Sequence, residues 1–177
     1  YWIVGAGNMS KAYVSVFKSL EIPFLVIGRG KESAEKLSRE TGVPVISGGV
    51  EDYMRRCGSK PDGAIIATGS KDLPGTTIAL LDHGVRKILV EKPLCYFNDE
   101  LEGIKAASLK AGAKIFVAYN RRYYESVGRA REIAAADGGV TSFHFEFTEW
   151  AHVIEKLEAG RMEKAHTVIG NSSHVID

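Results

Sequence analysis

The sequence predicts an α/β fold in which a parallel sheet is wound on both faces by helices. Three observations predict it. Short β-rich runs alternate with helical stretches from Trp2 to Ala118. Most of these runs are almost continuously apolar, as expected of parallel strands covered on both faces. A glycine turn, Gly5-Ala6-Gly7, joins the first run directly to the first helix. The handedness of strand–helix–strand units then leaves a doubly wound sheet as the leading topology.

The elements follow in order. Strands are expected over residues 2–4, 24–28, 43–46, 64–67, 87–91 and 114–118. The first helix is expected over 10–20, with Ala12, Val16 and Leu20 on one stripe. The second covers 32–41, with Ala34 and Leu37 facing inward, and a third covers 50–57. The fourth covers 75–83 and stops at Gly84. The fifth takes Asn98 as its N-cap and stops at Gly112. After Ala118 the character changes. Residues 119–136 are rich in Arg and Ala and read as helix after their first few positions, and Asp137-Gly138-Gly139 is a turn. Residues 140–150 read as a strand, with Phe143, Phe145 and Phe147 on one face and His144, Glu146 and Thr148 on the other. The stretch after Ala118 is too short for a comfortable core of its own. The expected division is a nucleotide-binding domain over 1–118 and the beginning of a second domain over 119–177.

Composition excludes several classes. With 45% hydrophobic and 25% charged residues, the chain is not disordered. A formal net charge of +1 gives no reason to expect nucleic acid or an acidic membrane as partner. No apolar run has the length of a membrane span. Cys57 and Cys95 lie far apart in no metal-like spacing. They read as buried or half-buried thiols of a reduced, cytoplasmic protein that holds no metal. Tyr1-Trp2-Ile3-Val4 reads as strand interior, and His174-Val175-Ile176-Asp177 stops in mid-pattern, so further sequence is expected, above all after Asp177.

The chemistry-bearing motifs sit at predicted strand ends. Gly5-Ala6-Gly7-Asn8-Met9-Ser10 follows the first strand and opens the first helix. Glycines there allow a tight turn and let a pyrophosphate approach backbone N–H groups at the positive end of the helix. Gly5, Gly7, Asn8 and Met9 are therefore candidate cofactor contacts of a Rossmann dinucleotide fold. The other reading is a bare structural turn. Such sites usually carry an acid about twenty residues on, bonded to the adenosine ribose. Here the second strand ends in Gly28-Arg29-Gly30-Lys31, without a carboxylate. Arg29 can pair with a 2′-phosphate and stack on adenine, with Lys31 or Ser33 assisting, which favours NADP over NAD. A solvated basic loop is the alternative. Thr68, after the fourth strand, is a candidate contact near the nicotinamide half, or simply a turn residue.

Glu91-Lys92-Pro93 ends the fifth strand. Lysine is seldom placed at a buried strand end unless its ammonium acts there, polarising a substrate oxygen or passing a proton. Lys92–Pro93 is a candidate cis peptide. Glu91 and Lys92 are also candidate cofactor contacts; a surface Glu–Lys pair is the alternative. Asn120 and Arg121, after the sixth strand, are candidates for substrate oxygens or the cofactor carboxamide, whereas Arg122 reads equally well as structural. His174 and Asp177 share a face if their segment is helical, and His174 could accept a carbinol proton near neutral pH. Trp150 and His152 are weaker substrate-pocket candidates. The glycine turn, Arg29, Thr68, Glu91-Lys92 and Asn120-Arg121 all fall at carboxyl ends of predicted strands, the edge along which open parallel sheets bind ligands.

On Gly5-Ala6-Gly7-Asn8-Met9, Glu91-Lys92-Pro93-Leu94, Tyr119-Asn120-Arg121-Arg122 and His174-Val175-Ile176-Asp177, the chain resembles the glucose–fructose oxidoreductase/inositol dehydrogenase/MocA (Gfo/Idh/MocA) family. The resemblance implies a Rossmann domain followed by an α/β substrate domain on a mostly antiparallel sheet, of which this chain holds only the start. It implies hydride transfer between a nicotinamide and a sugar, cyclitol or related small molecule. It implies Lys92 at the reacting oxygen, His174 as acid/base, Asn171 as a substrate-side contact, and dimers or tetramers. Three positions depart from the family pattern. Gly170 stands where an aspartate is usual, Leu73 where a histidine is common, and the ribose acid is missing. Two rival expectations follow: a dinucleotide-binding regulatory protein without turnover, and a hydrolase or lyase that uses held NAD transiently.

Overall fold

The computed structural model describes residues 1–144, 146, 148 and 150–156. The chain divides into two units, Tyr1–Ala118 and Tyr119–Asp177. The first unit contains six strands, β1 (Trp2–Val4), β2 (Leu25–Ile27), β3 (Val45–Ile46), β4 (Ala64–Ile66), β5 (Lys87–Val90) and β6 (Lys114–Val117). All pair in parallel, in the order β3-β2-β1-β4-β5-β6. This is the strand order of a dinucleotide-binding Rossmann sheet, and the order reverses between β1 and β4. Five helices connect the strands: α1 (Asn8–Ser19), α2 (Lys31–Thr41), α3 (Val50–Cys57), α4 (Leu73–Asp82) and α5 (Asn98–Ala111).

The apolar strands bury both faces because side chains alternate across the sheet. Trp2, Val4, Ile66, Ile88 and Val90 point to one side, where Leu80 and Leu81 of α4 and Ile104 of α5 cover them. Ile3, Val26 and Ile65 point to the other, under Val14 and Phe17 of α1 and Leu37 of α2. Each fully buried aliphatic side chain of this kind contributes roughly 1.5–3 kcal/mol. Leu73, at the position where the resemblance expects histidine, is buried in the first of these clusters.

Two helix expectations are corrected. In α1 the inward residues are Ser10, Val14 and Phe17, whereas Val16 and Leu20 are exposed. Both rows have helical spacing, so periodicity could not choose between them. The choice falls to contacts: Phe17 meets Tyr1 and Phe24 edge-on at 5.7 and 5.6 Å, and Ser10 lies against the glycine turn. In α5 the cap is Phe97, not Asn98. The Glu100 carboxylate accepts hydrogen bonds from the Tyr96 and Phe97 amides at 3.1 and 3.2 Å, so a side chain from inside the helix satisfies the entry.

The second unit begins with a 3-10 turn, Asn120–Tyr123, followed by α6 (Glu125–Ala136) and a short α7 (Ala151–Ile154). The described residues of 140–150 form no strand, and Phe143 and Trp150 are exposed. Alternation makes a segment eligible for a sheet, but a strand needs a neighbour's backbone to bond. No partner strand exists for it among the described residues. Among the described residues no helix is long and apolar enough to cross a membrane. None of them form a cluster of three or more His, Cys, Asp or Glu able to hold a metal ion.

Candidate functional site

A crevice of about 730 Å³ opens at the carboxyl edge of the sheet, over the point where strand order reverses. Its floor is a continuous row of backbone hydrogen bonds. The first residue beyond a strand donates to the last residue of the neighbouring strand. Gly28 bonds Ile46 at 2.8 Å, Gly5 bonds Ile27 at 2.8 Å, and Ala67 bonds Val4 at 2.7 Å. Glu91 bonds Ile66 at 2.9 Å, and Ala118 bonds Val90 at 2.8 Å.

The glycine turn forms the centre of that floor. Gly5 has φ +129, and a Cβ there would lie 2.2 Å from the Ala67 carbonyl oxygen. Only glycine fits. Gly7 is different. It is the N-cap of α1 with φ −99, and a Cβ there would meet nothing within 4 Å. Gly7 lines the crevice, so its missing side chain leaves open a cradle that the protein itself does not fill. Gly7 also offers no side-chain cap to the first-turn N–H groups of α1. An open cradle in front of uncapped amides at a helix N-terminus suits an anion such as a pyrophosphate. Asn8 and the exposed Met9 border the same space. These residues fit the phosphates of a dinucleotide.

Beyond β2, Arg29 lines the crevice as expected, but its guanidinium is engaged. Arg29 Nη2 lies 3.0 Å from Asp72 Oδ1, in the turn after β4. Asp72 raises the Arg29 pKa above the usual arginine value, first by hydrogen bonding and then by charge, and Glu51 in the first turn of α3 adds to the effect. Sequence reasoning missed Asp72 and Glu51. It also missed Gly48-Gly49, whose adjacent glycines after β3 were a readable turn signal.

At the other end, Glu91 and Lys92 line the crevice. The Lys92–Pro93 bond is cis. Glu91 is only 9% exposed, and its carboxylate accepts a 2.6 Å hydrogen bond from the hydroxyl of Tyr13 on α1. Burial first, then that hydrogen bond and the charge of Glu91, push the Tyr13 pKa above the tyrosine range. Tyr13 therefore favours its neutral form in the fold. Its stabilising contribution is complete below the ordinary tyrosine pKa of about 10 and is lost as pH rises beyond it. Thermal melts at pH 8 and pH 11 check this. Tyr13→Phe is expected to lower stability by about 2 kcal/mol at pH 8, because Glu91 loses a buried donor. The variant should then lose less than the wild type on the way to pH 11. Equal alkaline losses in the two proteins would refute the link.

Thr68 borders the crevice, with its hydroxyl toward the Gly69 carbonyl at 3.5 Å. Asn120 and Arg121 lie in the exposed 3-10 turn of the second unit. Trp150 and His152, at the short α7, stack on each other with ring centroids 6.2 Å apart. His174, Asn171, Gly170 and Asp177 lie outside the described residues. The structure thus gathers Gly5, Gly7, Asn8, Met9, Arg29, Thr68, Glu91 and Lys92 around one cavity within the first unit.

Residues 1–119 match the Gfo/Idh/MocA family, described as an oxidoreductase family with an NAD-binding Rossmann fold. No curated protein matches in sequence. Among solved structures, the WlbA dehydrogenase from Bordetella pertussis in complex with NADH and UDP-GlcNAcA is similar at 19% identity and TM-score 0.67, over 77% of this chain and 41% of that one. GenD2 from gentamicin A biosynthesis, in complex with NAD, is similar at 20% identity and TM-score 0.67, over 81% of this chain and 40% of its own. A putative myo-inositol dehydrogenase from Sinorhizobium meliloti 1021 shares 20% identity at TM-score 0.65, over 77% and 40%. At these identities the likeness is one of fold, and the chain spans about two fifths of the length of each. On the family match, which takes in every strand of the sheet and the whole crevice, the chain belongs to the Gfo/Idh/MocA oxidoreductase family.

Proposed function

We propose that the chain carries the cofactor site of a nicotinamide-dependent oxidoreductase acting on a CH–OH or carbonyl carbon of a sugar, cyclitol or related small molecule. One observation carries this reading: a single crevice at the strand-order reversal is lined by the uncapped helix N-terminus at Gly7 and by Lys92. The WlbA and inositol dehydrogenase likenesses support a polyhydroxylated substrate. In this reading Gly5, Gly7, Asn8 and Met9 hold the phosphates, and Arg29 meets the adenosine. Thr68, Glu91 and Lys92 border the nicotinamide half, with Arg121 as a further cofactor contact.

A bound nicotinamide supplies the hydride acceptor or donor. The protein orients the reactants and moves the proton. The Lys92 ammonium donates a hydrogen bond to the substrate oxygen and stabilises negative charge as it develops there. His174 accepts the hydroxyl proton in oxidation and returns it in reduction. Asn120 and Asn171 are assigned to substrate hydroxyls. The full-length protein is proposed to assemble as a homo-oligomer.

The test is absorbance of reduced nicotinamide, with the full-length protein, NAD or NADP, and a panel of sugars, cyclitols and nucleotide sugars. Substrate-dependent reduction of the cofactor is expected. Bound dinucleotide that no panel member reduces would favour a regulatory protein. Glycoside cleavage without net absorbance change would favour the hydrolase or lyase reading.

A further inference from the structure

We propose that Asp72 selects between the two nicotinamide dinucleotides: by holding Arg29 across the crevice it opposes a 2′-phosphate, so that the site takes NAD(H) in preference to NADP(H). The inference rests on the dinucleotide reading of the crevice. It reverses the preference for NADP that Arg29 suggests in the sequence.

Arg29 rises from the tip of β2 and Asp72 from the turn after β4, and both line the crevice. Their side chains are 70% and 40% exposed. An ion pair so exposed does little for stability. Its importance is its place, at the tip of β2, where the adenosine ribose of such folds is read. A phosphate monoester carries about −1.5 to −2 charges near neutral pH. To bond Arg29 it must displace the Asp72 carboxylate or share the guanidinium with it, which puts like charges close together. Glu51 adds a second negative charge near the same guanidinium.

The other groups that could serve a 2′-phosphate are also engaged. Lys31 Nζ lies 4.0 Å from Glu35 Oε1, and the Ser33 hydroxyl donates to the Gly30 carbonyl at 3.0 Å. The Lys31 contact is an exposed pair one helical turn apart and opposes a phosphate less than the Asp72 pair does. The flat face of Arg29 has a separate use. Its stem packs near Gly49, where a Cβ would lie 3.8 Å from Arg29 Cγ. The guanidinium can stack on adenine whether or not a 2′-phosphate is present. A carboxylate missing from the tip of β2 is thereby supplied from the tip of β4.

The experiment is titration of the full-length protein with NADH and with NADPH at fixed ionic strength, followed by nicotinamide fluorescence. The wild type is expected to bind NADH about tenfold tighter than NADPH. Asp72→Asn keeps the shape and removes the charge. It should narrow that ratio by about tenfold, with the gain on the NADPH side. Adding Arg29→Ala to Asp72→Asn should abolish the gain, since the guanidinium is what Asp72 withholds. A wild type that prefers NADPH, or a ratio unmoved by Asp72→Asn in a protein that still binds NADH, overturns the role of Asp72 alone. Failure of every variant to bind either dinucleotide overturns the reading of the crevice as well.

Discussion

Gly5→Ala is expected to destabilise the fold by about 3–5 kcal/mol, combining backbone strain with overpacking. At this chain length that corresponds to a melting temperature lower by about 10 °C. The cause is local. The added Cβ would lie 2.2 Å from the backbone oxygen of Ala67, and φ +129 is a conformation that side chains with a Cβ resist. Ala67 cannot retreat, because its own amide is bonded to Val4 at 2.7 Å. Gly7→Ala, two residues on, should give the opposite pair of readouts. Its backbone suits alanine, at φ −99 and ψ −171, and the new methyl meets no protein atom within 4 Å. Stability should change by no more than about 0.5 kcal/mol, since the freedom lost by the unfolded chain offsets alanine's poorer fit as an N-cap. Dinucleotide affinity should fall by about ten- to hundredfold as the methyl fills the cradle. Thermal melts and cofactor titrations on both variants check the pair. A Gly7→Ala protein that binds dinucleotide as tightly as wild type would remove the phosphate assignment.

Lys92→Ala is expected to lower turnover by about 10²- to 10³-fold, the usual contribution of a positioned hydrogen-bond donor to developing negative charge. Dinucleotide affinity should change by no more than about threefold, because the phosphate contacts are assigned to the glycine turn after β1, two strands away from Lys92 beyond β5. Lys92→Arg separates two roles. Arginine keeps the charge but does not give up a proton near neutrality. Partial recovery of turnover by arginine would mean that Lys92 acts by charge on the substrate oxygen. No recovery would mean that proton delivery or ammonium geometry is required. Full turnover in Lys92→Ala would defeat the assignment.

The sheet was legible because parallel strands announce themselves. Trp2-Ile3-Val4, Ala64-Ile65-Ile66 and Ile88-Leu89-Val90 are apolar on both faces, and each leads into a turn before the next helix. The glycine turn was legible for a similar reason, since a backbone that must pass close to a neighbouring strand leaves a glycine behind. Less legible was anything decided by a partner far along the chain. The rotation of α1 depends on Tyr1, Phe24 and the glycine turn, which helical spacing alone does not encode. Tyr13 finds Glu91 across 78 residues, and a tyrosine on a helix carries no sign of that bond. Arg29 showed its charge but not Asp72, which reaches it from another strand tip. In the Phe-rich stretch after Gly139 the alternation is legible, but Phe145 and Phe147 lie outside the described residues, and the described ones pair with no other strand.

The hydrogen-bonded row beneath the crevice has a thermodynamic consequence. Gly5, Ala67 and Glu91, which line the crevice, are each tied to an adjacent strand, so the main chain there is held by the sheet. Association then requires little ordering of the main chain, and most of the entropic penalty falls on the ligand and on exposed side chains such as Arg29 and Met9. Preorganisation of this kind would let affinity rest on amide positions, which many different cores can hold in place.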